Sequence, residues 1–375
     1  SSYQTQEAAL LLKKNVITIL SWCGALAIAL LLANGVAFLY RSGAGSIQRE
    51  HAYSTSIRTP NSIIVRGAEG YGINAVDENG YLNDDRLPLK ERYILLMGSS
   101  HAEALQVMQK NTMTSVLNNM IDPNERTVYN MGTAGQTFPL IVEGFQAALD
   151  EFPNAEAVMI EISRFELTKG DFKKAMDQAT YDPASSGQAL VHSLDFSRSL
   201  RNRVLGALPV ISQLSQQIIS MDFSMKDAFG VASFLKQYHA DAAEKETTAK
   251  PATAQAGESA YFGRVDQALA LLRGEFAGPI IILYHPAVSL LSNGTLRLDR
   301  DIEYYDDFAR ACEKNGVVFL DTGDSFLRAY AEDHSLPYGF HNTTMPSGHL
   351  NALGHRICAE EFYEAWMEIQ SKEGN

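Results

Sequence analysis

Cysteine is scarce in this chain. Its 375 residues include three, Cys23, Cys312 and Cys358, and their spacing matches neither a disulfide framework nor a zinc-ligand set. Cys312 and Cys358 read as buried thiols rather than as a pair. Basic charge is also short. Lys and Arg number 31 against 44 Asp and Glu, for a net charge of −13 and a pI near 5.2. That balance speaks against a broad basic surface, so no nucleic-acid partner is expected. No dinucleotide fingerprint is present either, because the glycines that follow the second strand candidate lack the G-x-G-x-x-G spacing.

Long apolar runs are limited to one, Val16 to Tyr40. A helix needs about 20 apolar residues to cross a hydrocarbon core of about 30 Å. A cleaved signal peptide would have an apolar core of only about 7–15 residues and a small-x-small site. Ala33-Asn34-Gly35 imitates such a site weakly, so an uncleaved anchor is expected. Trp22 directly before Cys23 disfavours a lipoprotein. Lys13 and Lys14 precede the run, while Arg41 and Arg49 follow it. The positive-inside rule then places the N-terminus in the cytoplasm and the main domain outside it, periplasmic or at the cell surface. The expected layout is a tail over 1–14, a transmembrane helix over 15–40 and a stalk with irregular lead-in over 41–90. The main domain fills 91–375.

In that domain, short apolar runs alternate with helical patterns. Strand candidates are Tyr93–Met97, Thr127–Asn130, Ala157–Ile162, Pro279–Tyr284 and Val317–Leu320. Helix candidates fall at 102–120, 138–150, 302–315 and 354–370. The pattern predicts an α/β fold, a doubly wound, flavodoxin-like three-layer sandwich with a mainly parallel five-stranded sheet. A helical and flexible insertion at about 164–278 interrupts it. Helical periodicity runs through Val204, Leu208, Ile211, Leu214 and Ile218, with Pro209 inside it, and residues 241–258 read as a flexible loop.

Three stretches lie where an open α/β sheet places its ligand, at the carboxyl ends of strands or beside them. Gly98-Ser99-Ser100-His101 sits between a strand and a helix. There a serine hydroxyl lies at the sheet edge and backbone N–H groups face developing negative charge. Ser100 could equally cap the helix, with Glu103 at capping-box spacing. Asn130 to Thr137 offers glycine N–H donors, or simply a tight turn. Ser347-Gly348-His349 opens the last helix, where His349 could take a proton from a serine hydroxyl or be an ordinary surface histidine.

Taken in order, these stretches resemble the blocks of the SGNH (GDSL-like) hydrolase superfamily. Gly98-Ser99-Ser100 is similar to the Gly-Asp-Ser block, and Asn130 to Thr137 to the second block. His349-Leu350-Asn351-Ala352-Leu353-Gly354-His355 looks like the final His-Pro-Asn-x-x-Gly-His block. The resemblance implies Ser100 as nucleophile, His349 as base and the N–H groups of Ser100 and Gly135 as oxyanion donors, with no cofactor and no metal. The family acid usually stands three residues before the histidine, where this chain has Pro346. No Asp or Glu occurs between His334 and Glu360, which leaves Asp321 and Asp324 as candidate acids. The third-block Asn is absent from Glu161-Ile162-Ser163-Arg164, so Ser163 or Arg164 are the candidate substitute donors. With the anchor, the resemblance implies an esterase or O-acyltransferase outside the cytoplasm, acting on an envelope glycan beside a membrane-bound O-acyltransferase. A catalytically weak scaffold subunit of a membrane complex is the competing expectation.

Overall fold

A computed structural model of the chain describes residues 2–42, 46–48, 53–54, 56–84, 91–121, 126–179, 259–300 and 302–373. Two compact units make up the chain: residues 1–38 with 204–257, and residues 39–203 with 258–375.

The described part of the first unit belongs to helix α1, Ser2–Tyr40. Within it, Lys13–Ala37 is long and apolar enough to cross a membrane, at a mean hydropathy of 2.4, and a signal sequence would pass the same test. Its polar side chains bond back along the helix. Thr18 Oγ1 donates to Lys14 O at 2.9 Å, Ser21 Oγ to Ile17 O at 2.9 Å and Asn34 Nδ2 to Leu30 O at 2.8 Å. This lowers the cost of placing those groups in an apolar medium.

The second unit is built on a parallel sheet of β6 (Tyr93–Met97), β7 (Thr127–Asn130), β8 (Ala155–Ile162), β9 (Ile280–Tyr284) and β12 (Val318–Asp321). All five strand expectations hold to within two residues. The spatial order is β7-β6-β8-β9-β12, the 2-1-3-4-5 order of a flavodoxin-like doubly wound sheet. β6 is buried along its whole length and alternates between two cores. Leu95 and Met97 face a core shared with α4 (Phe138–Glu151), α6 (Ala260–Glu275) and α7 (Ile302–Lys314). Ile94 and Leu96 face another, shared with α3 (Met113–Met120), α8 (Gly323–Asp333) and α9 (Ala352–Glu373). Cys312 lies buried in the first core and Cys358 in the second, both as free thiols.

Three expectations need correction. The helix expected over 102–120 is a single turn α2 (Ser100–Glu103), a 3-10 turn at Gln109–Asn111 and then α3. Ala104 is left-handed, at φ 62°. The segment after it bonds to the preceding hairpin instead of to itself: Asn74 Nδ2 donates to Val107 O at 3.1 Å, and Ala75 N–H to Gln109 Oε1 at 3.1 Å.

The stalk expected over 41–90 is, in its described residues, structured. β1 (Arg41–Ser42), β4 (Ile63–Arg66) and β5 (Gly72–Ala75) form an antiparallel sheet, and β2 (Ser46–Gln48) pairs with β3 (Ser56–Arg58). The following residues dock on the domain through Asn83, whose Oδ1 accepts from Asn130 N–H at 2.8 Å, and through Tyr129 Oη, which donates to Asp77 at 2.6 Å. These short strands have no helical pattern beside them, the signal that marked the strands of the parallel sheet.

The insertion expected over 164–278 closes earlier than expected, because α6 is a core helix with Val265, Leu269 and Leu272 fully buried. The helical reading of 186–240 and the loop reading of 241–258 lie outside the described residues. A helix α5 (Lys169–Ala179) and a hairpin of β10 (Ala287–Leu290) and β11 (Leu296–Asp299) complete the described elements.

Candidate active site

The order change between β6 and β8 opens a crevice at the carboxyl ends of these strands, and the chain places Ser99 and Ser100 there. Ser99, not Ser100, caps α2: its Oγ accepts from His101 N–H at 3.2 Å. Glu103 does not close a capping box. It is buried and pairs with Arg58, whose Nε donates to its Oε1 at 2.7 Å. The Ser100 hydroxyl is therefore free for other work, and it lies 3.0 Å from Nε2 of His349.

The other face of the His349 ring meets Glu69. Nδ1 lies 2.7 Å from Glu69 Oε2, and the His349 backbone N–H donates to Oε1 at 2.8 Å. One carboxylate thus holds both ring and backbone, which fixes the tautomer with Nε2 toward the serine. Glu69 comes from the loop between β4 and β5, a feature the sequence reading missed. Asn342 clamps that loop, accepting from Gly70 N–H at 2.9 Å and donating to Gly67 O and Gly70 O at 3.0 and 3.1 Å. Gly70 is required there: it has φ +64°, and a Cβ would come within 2.3 Å of Gln106 O. The signal in the sequence was indirect, namely the missing acid before His349.

Asp321 and Asp324 are not part of this constellation. Asp321 ends the edge strand β12, pairs with Arg300 Nη2 at 3.0 Å and accepts from Gly323 N–H at 2.7 Å. Asp324 is 84% exposed and lies 3.6 Å from the same guanidinium. The carboxylate that meets His349 comes from before the sheet, not from after its last strand. Ser163 and Arg164 follow β8 at the same sheet end as Ser100 and make no hydrogen bond or ion pair among the described residues. Gly135 is exposed, with φ +86° and open space around its Cα. Its neighbour Gly132 sits tight against the α2 backbone and donates to Asn130 Oδ1 at 2.8 Å, while Asn130 Nδ2 donates to Ala102 O at 2.9 Å. Asn130 therefore serves to lock this turn to the nucleophile helix.

Behind the serine lies a fully buried carboxylate, Glu161, at the end of β8. Ser99 N–H donates to it at 2.7 Å and Ser99 Oγ at 2.9 Å, and His285 Nε2 lies 2.6 Å away. Burial alone would raise this carboxyl. The hydrogen bond and electrostatic pull of the His285 ring, together with the Ser99 N–H, outweigh that and pull it to about 2. A charged residue inside the otherwise apolar AVMIEI strand, and a histidine directly after PIIILY, were readable signals.

Histidines crowd the site. His101 lies between His285 and His349, with ring centroids 4.6 and 5.0 Å away, and its Nδ1 accepts from Leu350 N–H at 3.2 Å. Burial first, then neighbouring His285, hold His101 well below the usual range and lower His355 to about 3. Both are therefore neutral in the fold. As pH falls below about 6.5, the unfolded chain takes up protons that the folded state refuses, so stability is lost in that direction. The loss is at most about 1.4 kcal/mol per pH unit for each histidine. Chemical denaturation between pH 7 and pH 5 should show this slope, and His355→Gln should flatten it. Equal slopes in the two proteins would rule out His355 as a source.

No family model matches the chain, and no curated protein matches it by sequence. Solved structures do match. One is a lipolytic G-D-S-L family protein from Veillonella parvula, at 9% identity and TM-score 0.34, covering 74% of this chain and 98% of that one. Another is a psychrotrophic esterase from Pseudoalteromonas sp. inhibited by monoethylphosphonate, at 12% and 0.36, with the same coverages. A third is an alpha/beta hydrolase from the metagenome of Lake Arreo, Spain, at 12% and 0.36, covering 74% and 96%. These likenesses each extend over about three quarters of this chain.

Proposed function

We propose that the chain is a serine acyl-ester hydrolase or O-acyltransferase of SGNH-like type, anchored in a membrane by α1. The observation that carries this reading is the line from Ser100 Oγ to His349 Nε2 at 3.0 Å and from His349 Nδ1 to Glu69 Oε2 at 2.7 Å. Such an arrangement activates a hydroxyl. His349 takes the proton as Ser100 Oγ bonds to the ester carbonyl carbon, and Glu69 stabilises the imidazolium that forms. The N–H groups of Ser100 and Gly135 are assigned to the oxyanion. His349 returns its proton to the leaving alcohol as the carbon–oxygen bond breaks. Water or an acceptor hydroxyl then releases the acyl group from Ser100 with the same base.

The apolar run Val16–Tyr40 and the two lysines before it, Lys13 and Lys14, support a cytoplasmic N-terminus and a domain outside the cytoplasm. An envelope glycan as acyl acceptor or ester substrate, and a membrane-bound O-acyltransferase as partner, follow from the family resemblance joined to that anchor.

Incubation of the full chain in detergent with a fluorophosphonate probe tests the reading. Stoichiometric modification is expected, mapped to Ser100 by mass spectrometry. A correctly folded chain that stays unlabelled would favour the scaffold alternative.

A further inference from the structure

We infer that Glu161, His285 and Tyr338 are positioning residues, a buried polar relay that holds Ser99 and so aims the Ser100 hydroxyl at His349. The inference rests on the proposed role of Ser100. A carboxylate in the core is costly unless its charge and lone pairs are met. Glu161 is met on both sides. Ser99 gives it a backbone N–H and a hydroxyl, and His285 gives it Nε2. No Cβ fits at Gly98, since it would fall 2.6 Å from Glu161 Oε2, so the carboxylate lies directly under the strand-to-helix turn.

The relay continues away from the serine. His285 Nδ1 lies 2.6 Å from Tyr338 Oη, and that hydroxyl is also 2.9 Å from Pro286 O. Tyr338 forms an antiparallel bridge to Leu350, and Gly339 N–H donates to His349 O at 3.0 Å. Polar contacts therefore run from the residue before the nucleophile to the Tyr338 hydroxyl, and the backbone at Tyr338 and Gly339 in turn pairs with that of the base and its neighbour. Apolar residues of similar volume often stabilise a core as well as a buried pair does. Stability alone is thus a weak reason for a buried polar link at this place. Reaction geometry is a strong one, because a misplacement of about 1 Å can cost about 100-fold in rate.

The test compares Glu161→Gln, Ser99→Ala, Ser99→Thr and Tyr338→Phe with the wild-type full chain in detergent. Readouts are the rate of fluorophosphonate labelling, kcat and KM for p-nitrophenyl acetate, and Tm. Glu161→Gln and Ser99→Ala should slow labelling and lower kcat by about 100-fold with KM unchanged. Ser99→Thr, which keeps the hydroxyl, should restore most of the rate. Tyr338→Phe should lower kcat in the same direction and serves if Glu161→Gln does not fold. Folded variants that label at the wild-type rate, with only Tm reduced, would overturn the relay. A wild-type chain that does not label would overturn the Ser100 reading first, and the relay with it.

Discussion

Replacing Ser100 with alanine is expected to lower ester turnover by about 10,000-fold, close to 5 kcal/mol of transition-state stabilisation. The size follows from the hydroxyl's place. Its oxygen lies within hydrogen-bond reach of His349 Nε2, and without it the proposed acyl group has no covalent acceptor beside that base among the described residues. The fold should not notice the change. Ser99 caps α2, and Glu161 is bound by Ser99, so alanine at 100 removes no structural hydrogen bond other than the one to His349. Turnover of p-nitrophenyl acetate together with the melting temperature separates the two effects. His349→Ala should cost about as much, and the double variant little more, because two parts of one device are not additive. Residual turnover within tenfold of wild type in Ser100→Ala would remove this serine from the chemistry.

The second large effect falls on Glu69. Glu69→Gln keeps size and shape but replaces one oxygen by an amide that donates toward Nδ1. The imidazole is then driven to the tautomer that presents a proton, not a lone pair, to Ser100. A kcat loss of about 100- to 10,000-fold is expected, with KM little changed. Gly348 sharpens the test. It has φ +94°, and a Cβ there would come within 2.3 Å of Glu69 Oε1, so Gly348→Ala should displace the carboxylate and lower kcat too. Asp321→Asn and Asp324→Asn are the controls. Their partner is Arg300, at 3.0 and 3.6 Å, and turnover should stay near wild type. A greater loss in Asp321→Asn than in Glu69→Gln would reverse the assignment.

The comparison of Glu69 with Asp321 shows where reading residues in order stops. The five parallel strands were legible because each is a short apolar run beside a helical period, a signal confined to neighbours in sequence. Ser100 and His349 were legible because each stands at a junction near the strand ends, where an open sheet leaves its crevice. β4 and β5 were not legible, because they pair with each other as a hairpin and have no helical period beside them, and the carboxylate beside His349 travels with them.

Local pattern by itself determined the apolar run of α1, the doubly wound sheet, and a serine and a histidine placed where such a sheet leaves its crevice. Tertiary structure alone decided which carboxylate reaches His349, which serine caps α2, and that α6 belongs to the core. The physical reason is distance along the chain. Glu69 and His349 are 280 residues apart, and Glu161 and His285 are 124. No local propensity links such pairs. They meet because Asn342 clamps the Glu69 loop, and because a carboxylate buried at the end of β8 must find its donors where the neighbouring strands end.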